Sequence, residues 1–236
     1  MVRGKWRTIL SWSLYDWANS AFATTVMAGF FPLFFKKFWS AGVDSAHSTF
    51  QLGLANSLGS IVVVILAPAL GAIADKGGSK KHFLLVFAGV GVLATAGLYA
   101  VGEGLWPAAA ALYVAAAVGF SGGNIFYDAL LVSVTDEDRV DFVSALGFSL
   151  GYLGGGLLFA FNVAMVLAPE TFGLADATEA VRVSFLTVAA WWALFSVPLF
   201  LFVDEPRPGA RPPWRQAVVG GFRQLAATFR EVRRLR

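Results

Sequence analysis

Apolar residues fill six long stretches of this chain, and short groups of charged residues separate the stretches from one another. The stretches run at about residues 13–35, 50–74, 82–101, 107–133, 142–168 and 181–203. An uncharged apolar run of about 18 residues or more is long enough to cross a bilayer as an α-helix. Strands of a membrane barrel would be shorter and would alternate in polarity. The pattern therefore predicts an all-α integral membrane protein with six transmembrane helices.

The composition supports the same class of protein. Of the 236 residues, 57% are hydrophobic and 14% are charged, whereas a soluble domain carries about 25% charged residues. The chain has no cysteine, which excludes disulfides and thiolate metal sites. Its two histidines, His47 and His82, fall in predicted loops. We therefore expect neither a metal centre nor a cofactor.

A basic segment precedes the first apolar stretch, as it does in a secretory signal peptide. The apolar part, however, runs on to Phe35, and a polar cluster interrupts it before any plausible cleavage site. This pattern predicts a retained first span.

Basic residues concentrate on one side of the predicted membrane. Fifteen of the 18 Lys and Arg residues fall in the N-terminal segment, the second and fourth loops and the segment after the last span. The other side holds only Lys36, Lys37 and Arg182. Because positively charged segments stay in the cytoplasm, both termini are predicted to be cytoplasmic, in the inner membrane if the protein is bacterial.

The chain divides into two parts. Residues 1–203 form the predicted six-helix bundle, and residues 204–236 begin with the Pro-rich linker "DEPRPGARPP". Beyond the linker, apolar residues recur at three- and four-residue spacing among arginines. This favours a basic amphipathic helix on an anionic leaflet; a helix packed on soluble partner loops is the alternative. Nucleic-acid binding by this tail is not expected.

Two ionisable side chains, Asp16 and Asp128, fall inside predicted spans, where a charge is costly and often functional. Counted from the predicted span ends, both lie about 5–8 Å deep on the same side, Asp128 being the deeper. Asn19 shares a helix face with Asp16, and Asn124 and Tyr127 accompany Asp128. We interpret these five residues as the lining of a cavity that binds substrate, a proton or both. The alternative is structural, with each Asp bonded to a backbone amide or a basic loop residue.

The loop after the second span, "GAIADKGGSKK", has the most specific local pattern in the chain. Gly71 permits close helix approach, and Gly78 permits a tight turn. The loop resembles the signature loop of the major facilitator superfamily, except that Ser79 stands where the family usually has Arg. The matching residues are Gly71, Asp75, Lys76, Gly78, Lys80 and Lys81. In that family the Asp and the basic residues latch two halves of the protein at the cytoplasmic face; the alternative is an ordinary basic loop.

The fifth span carries glycines at four-residue spacing, Gly147, Gly151 and Gly155. This spacing predicts a groove on one helix face against which another helix packs closely. The segment also resembles the fifth-span motif of major facilitator antiporters, although Tyr152 stands where those proteins have Pro. The packing interpretation is independent of that resemblance.

Four segments together carry a narrower resemblance: "YDWANSAF" in the first span, "GAIADKGGSKK", "FYDALL" in the fourth span and "SALGFSLGYLGGGL" in the fifth. They resemble the vacuole-effluxer-like family of the major facilitator superfamily. The resemblance implies alternating access, with small metabolites, amino acids among them, as substrates. It also implies about twelve spans in two halves, each half built from three-plus-three inverted repeats. We therefore expect this chain to be an N-terminal half that works with a missing C-terminal half or with a second copy.

The sequence thus predicts a secondary active transporter whose partners are the lipid bilayer, a small-molecule substrate and protons. The alternative is a non-transporting scaffold or regulatory half-transporter that docks onto a partner. An enzyme is not expected, since the chain has no nucleophile motif and no His and acidic cluster with metal-ligand spacing. The acidic segment "TDEDRVD" between the fourth and fifth spans is interpreted as a solvated turn.

Overall fold

A computed structural model describes residues 2–76 and 79–205 of the chain. Within these ranges, turns and short 3₁₀ segments connect six long helices: α1 (Val2–Ala21), α2 (Ser45–Lys76), α3 (Lys80–Gly97), α4 (Trp106–Val134), α5 (Val140–Leu167) and α6 (Ala177–Phe202). Each belongs to a helical segment that is long and apolar enough to cross a membrane. The predicted all-α fold with six spans is confirmed. Of the predicted linker and amphipathic helix, residues 206–236 lie outside the described ranges.

The first span is longer than the sequence predicted. After α1 the helix continues through two π-helical segments, Phe22–Phe30 and Phe35–Trp39, joined by an α-helical turn. The helical segment that is long and apolar enough to cross a membrane runs over Lys5–Trp39, whereas the hydropathy pattern predicted 13–35. Polar and charged residues among the first turns hid this start, although apolar side chains there, such as Ile9, are buried. Asp16 consequently lies about 16 Å along the helix from Lys5, at about 1.5 Å per residue.

Local sequence signals account for several helix ends. The Asp176 carboxylate accepts a hydrogen bond from the Glu179 N–H (2.8 Å) and caps the first turn of α6. Before α4 the chain turns at Gly104, whose positive φ of 76° favours glycine. The Gly104 N–H donates to the Phe38 carbonyl oxygen (3.1 Å), which ties this turn to the end of the first span.

The helices pack as two similar groups of three: α1 with α5 and α6, and α4 with α2 and α3. In addition, α3 contacts α6. Exchanging the first helix with the fourth, the second with the fifth and the third with the sixth leaves these pairings unchanged. Because successive spans run in opposite directions, α1 and α4 are antiparallel. These pairings agree with two three-helix repeats of inverted topology.

The backbones of α3 and α4 touch. A Cβ atom added at Gly119 would lie 2.5 Å from the backbone nitrogen of Gly91 and 2.6 Å from the carbonyl oxygen of Phe87. A Cβ atom at Gly91 would in turn overlap the Trp192 ring of α6. Small residues allow this approach, which is typical of helices packed in lipid.

One face of the bundle, the N-terminal face, brings together the start of α1, the α2–α3 and α4–α5 loops and the residues after α6. At this face the Lys5 ammonium bonds the Asp136 carboxylate, and Thr8 donates to the carbonyl oxygen of Phe202 (3.4 Å). The hydrogen bond and charge of Lys5 lower the pKa of the Asp136 carboxyl. The α1–α2, α3–α4 and α5–α6 connections lie at the opposite face.

Candidate functional site

A cavity of about 280 Å³ lies between α1, α4 and α5. Polar side chains line it from the first span, α4 and α5: Asp16, Ser20, Thr24, Asn124, Tyr127, Asp128 and Ser144. Aromatic side chains from all three helices complete the walls: Trp12, Phe120, Phe148 and Tyr152. On each helix these residues follow a spacing of three or four, which places them on one helix face. The cavity extends from the region of the N-terminal face toward the middle of the bundle.

Four of the five residues predicted to line a cavity do so: Asp16, Asn124, Tyr127 and Asp128. Asn19 does not line it but is buried directly behind the polar wall. Its side-chain amide donates a hydrogen bond to the Asn124 Oδ1 (2.5 Å). This bond joins α1 to α4 and fixes the orientation of the Asn124 side chain.

The two carboxylates have different surroundings. Asp16 is half-buried, and its Oδ1 accepts a hydrogen bond from the Ser20 hydroxyl (3.4 Å). Asp128 is exposed on the wall of the cavity. Neither carboxylate forms an ion pair within residues 2–76 and 79–205. Both side chains line the same cavity.

Tyr127 connects the walls of the cavity. Its ring stacks on Trp12 with centroids 4.3 Å apart, and the Trp12 Nε1 donates to the Tyr127 carbonyl oxygen (3.0 Å). The side chain is 4% exposed, and its hydroxyl has no hydrogen-bond partner among the described residues.

The three predicted packing glycines lie on the side of α5 that faces α1. A Cβ atom at Gly147 would lie 2.9 Å from Cζ3 of Trp12, and one at Gly155 would lie 3.0 Å from the carbonyl oxygen of Ser20. At Gly151 the added atom would lie 2.7 Å from the Ser20 hydroxyl and 3.0 Å from the Asp16 Cγ. The glycine face therefore accommodates the cavity side chains themselves as well as the backbone of α1.

Sequence reasoning missed several lining residues, among them Trp12, Ser20, Thr24, Phe148 and Tyr152. The spacing of these residues along the sequence could have identified them. Trp12, Ser20 and Thr24 continue the face of Asp16 at four-residue intervals, and the two α5 residues follow the same interval from Ser144. Aromatic residues in a predicted membrane span did not by themselves indicate a cavity.

The described residues on either side of the α2–α3 loop lie at the N-terminal face. Asp75 is exposed and makes no hydrogen bond with the described residues, and the Lys76 backbone ends α2. Gly78 lies outside the described ranges. Space is open around Gly71 among the described residues, so the close helix approach predicted there is not observed.

The two lysines after the loop bind neighbouring helix ends. Lys80 donates through Nζ to the Ala129 carbonyl oxygen of α4 (2.7 Å). Lys81 donates through Nζ to the carbonyl oxygens of Phe200 (2.8 Å) and Val203 (2.7 Å) at the end of α6. A cation is favourable at the C-terminus of a helix.

Glu205 completes this network. Its carboxylate accepts hydrogen bonds from the backbone N–H groups of Lys80 (2.6 Å) and Lys81 (3.4 Å) at the N-terminus of α3. An anion is favourable at that end of a helix. The loop thus ties α3 to the segment that follows α6.

Six apolar helices around a polar cavity define a multi-pass integral membrane protein. The chain belongs to the family described as vacuole effluxer Atg22 like, whose family model matches residues 4–236. This confirms the family predicted from the four sequence segments.

Individual relatives agree with the family. The chain is 39% identical over 228 residues to an "Uncharacterized MFS-type transporter YxiO" of Bacillus subtilis, covering 96% of this chain and 53% of the relative. It is 23% identical to "Autophagy-related protein 22" of Eremothecium gossypii, covering 84% of this chain and 46% of the relative. The chain spans about half the length of these curated relatives.

Proposed function

We propose that this chain is the N-terminal half of a secondary active transporter that exports small metabolites, amino acids among them, by alternating access. The observation that carries the proposal is the cavity between α1, α4 and α5, in which two carboxylates lie without an ion-pair partner among the described residues. Ionisable groups within membrane spans are costly and are typical of substrate and ion pathways. Membership of the effluxer family and the name of the Bacillus relative support the same function.

A second cavity supports alternating access. It has a volume of about 310 Å³ and lies between the π-helical segment Phe22–Phe30 of the first span, α2 and α4. Its lining includes Asn56, Ser60, Tyr113 and Ser121. The two cavities are related by the same exchange of helices as the two three-helix repeats. The first cavity lies beside α5, and the second lies beside α2, the helix that takes the place of α5 in that exchange. The α4 residues of the second cavity lie nearer the opposite face. A substrate site that is reached from each face in turn fits these two cavities.

Asp16 and Asp128 are the candidates for proton coupling, because a carboxylate in a transport cavity can bind and release a proton. Asp75 is the candidate for a latch at the N-terminal face, because it is exposed and free of hydrogen bonds within the described ranges. In this proposal Asp75 pairs with the second half of the transporter, or with a second copy, when the N-terminal face closes.

The test of the function is substrate flux through the full-length protein in proteoliposomes. Preloaded vesicles and a panel of labelled amino acids, amines and carboxylates would give saturable counterflow for at least one compound class. Protein-free vesicles are the control. A stable complex with a partner protein, without flux of any compound in the panel, would contradict transport and favour a scaffold.

The proposed orientation places the N-terminal face in the cytoplasm, as the distribution of basic residues predicts. We expect a cysteine introduced by Glu170→Cys, at the opposite face, to react with a membrane-impermeant maleimide on intact cells. A cysteine introduced by Glu137→Cys, in the α4–α5 loop, would react only after permeabilisation. Both positions are exposed, and this chain has no cysteine of its own; cysteines of the second half would first be replaced. Reversed labelling would contradict the orientation.

Substitution of Gly151 is expected to impair transport without unfolding the protein. The methyl group of Gly151→Ala displaces Ser20 or the Asp16 carboxylate, and strain of this kind is expected to lower the transport rate by about tenfold. Gly156→Ala on the same helix is the matched control, because a Cβ atom there meets nothing within 4 Å. Initial rates in proteoliposomes, with protein amount and melting temperature measured in parallel, test the prediction. Equal rates for the two variants would contradict it.

A further inference from the structure

We propose that the cavity between α1, α4 and α5 binds the protonated amino group of its substrate between Asp16 and Asp128, with the aromatic walls holding an apolar part of the same molecule. This inference rests on the proposed function and names the chemical class of the substrate. The shared chemistry is an ammonium group attached to a hydrophobic body, which both simple amines and amino acids possess.

The charge of the cavity is the first observation. The lining contains two carboxylates, whereas no Lys, Arg or His among the described residues lines it. Two negative charges within one cavity repel one another. A bound cation between them would remove this repulsion and form charge-assisted hydrogen bonds with both groups.

The hydroxyl of Tyr127 is an independent observation. It is buried, has no hydrogen-bond partner among the described residues, and belongs to a side chain that lines the same cavity. A buried hydroxyl without a partner is costly. An ammonium group has three donors, so it can donate to this oxygen while it bonds the two carboxylates. The neighbouring Asn124 is held in place by Asn19 and adds a further polar group to the wall.

The aromatic walls agree with a cation that carries an apolar body. Trp12 and Phe120 line the inner part, and Phe148 and Tyr152 lie on the exposed wall formed by α5. An aromatic ring face attracts a cation within about 6 Å of its centroid. The same rings provide apolar contact area for the rest of the substrate.

Other ligand classes fit less well. An anion would meet two carboxylates and no cationic side chain of the described residues. A bare divalent cation such as Ca²⁺ takes about six to eight oxygen ligands at short distance, whereas this cavity of about 280 Å³ provides two carboxylates among several aromatic side chains. The size and the aromatic lining suit an organic molecule.

Three probes with the same phenyl body and different charges test the inference: 2-phenylethylamine, L-phenylalanine and 3-phenylpropionate. Their binding to the full-length protein in nanodiscs would be measured by isothermal titration calorimetry, and a homologous series of primary amines would test the size of the body. We expect the amine to bind and the propionate to bind at least about tenfold more weakly, since hydrogen bonds to charged groups contribute about this much. Binding of L-phenylalanine as tight as that of the amine would identify an amino acid as the source of the ammonium group; weaker binding would identify a simple amine. Both results agree with the inference.

Variants connect the binding to the site. Asp16→Asn and Asp128→Asn are each expected to weaken binding of 2-phenylethylamine by about tenfold. Tyr127→Phe, which removes only the hydroxyl, is expected to weaken it less. Asp138→Asn is the matched control, because this exposed carboxylate lies in the α4–α5 loop and does not line the cavity.

Several results would overturn the inference. They are binding of 3-phenylpropionate as tight as that of the amine, failure of every amine in the series to bind, and unchanged amine binding in both aspartate variants. The proposed function fails separately. Flux of a carboxylate that is insensitive to both aspartate substitutions would leave transport standing and reject amine recognition. Specific amine binding without flux of any compound would support amine recognition and reject transport.

Discussion

Replacing Asp128 by asparagine in the full-length protein is expected to abolish proton-coupled transport. Asparagine keeps nearly the shape and hydrogen-bonding capacity of the side chain but cannot bind and release a proton. Asp128 lines the cavity and has no ion-pair partner in the described ranges that would hold it permanently charged. Accumulation of substrate in proteoliposomes under an imposed pH gradient measures the effect, and we expect accumulation to fall to the level of protein-free vesicles.

The interpretation requires two comparisons. Asp16→Asn is expected to show a similar loss, because Asp16 lines the same cavity as Asp128. Asp138→Asn, outside the cavity, is expected to transport normally. Unchanged uptake and unchanged pH dependence in Asp128→Asn would show that Asp128 does not couple transport to protons.

Coupling and substrate recognition would depend on the same two carboxylates. If an ammonium group and a proton both bind at Asp16 and Asp128, each excludes the other from the cavity by competition for the same negative charge. Binding of a proton would then release the substrate, and loss of the proton would permit the next substrate to bind. This competition is sufficient for exchange of a proton for a cationic substrate without a separate proton site. A ligand shifts a conformational equilibrium only through its different affinities for the two states, so the carboxylates must also differ between the two open forms.

The spans could be predicted from the sequence because lipid imposes a strong constraint on it. Every backbone polar group in the membrane must be satisfied internally, so each crossing requires a long apolar helix with a visible pattern. The start of the first span was missed because this constraint is relaxed there. Arg7 lies over the Phe202 ring at 3.6 Å from its centroid, and the buried Trp12 bonds the backbone of α4. Contacts with other helices, which hydropathy does not report, allow charged and polar residues in these turns.

The candidate site was only partly predictable for a related reason. Asp16 and Asp128 stand out in an apolar sequence, and the helical period brings Asn124 and Tyr127 to the same face as Asp128. The bond between Asn19 and Asn124 depends on the rotation and height of α1 against α4, which neither helix encodes alone. The glycine spacing in α5 similarly predicted a close contact but did not identify α1 as its partner. Glu205 was missed because its role depends on where α6 ends relative to the first turn of α3.

Replacing Gly119 by alanine is expected to be among the most destabilising single-methyl changes in the described part of the bundle. The added carbon would lie 2.5 Å from the Gly91 nitrogen and 2.6 Å from the Phe87 carbonyl oxygen. Both neighbours are backbone atoms, so no side-chain rotation relieves the overlap and α3 must move away from α4. Overpacking of a well-packed interface costs about 1–3 kcal/mol, and we expect a value near the upper end. Equilibrium unfolding of the full-length protein in mixed detergent micelles measures the change in the free energy of unfolding.

Gly89→Ala is the matched control, because Gly89 lies on α3 and a Cβ atom there meets nothing within 4 Å. Alanine is a better helix former than glycine by about 0.8–1.0 kcal/mol, so this variant is expected to be as stable as the parent protein or slightly more stable. The same intrinsic gain applies at Gly119, which means that any net destabilisation there understates the cost of separating the helices. Equal unfolding free energies for the two variants would contradict direct backbone contact between α3 and α4. A loss confined to Gly119→Ala would support it.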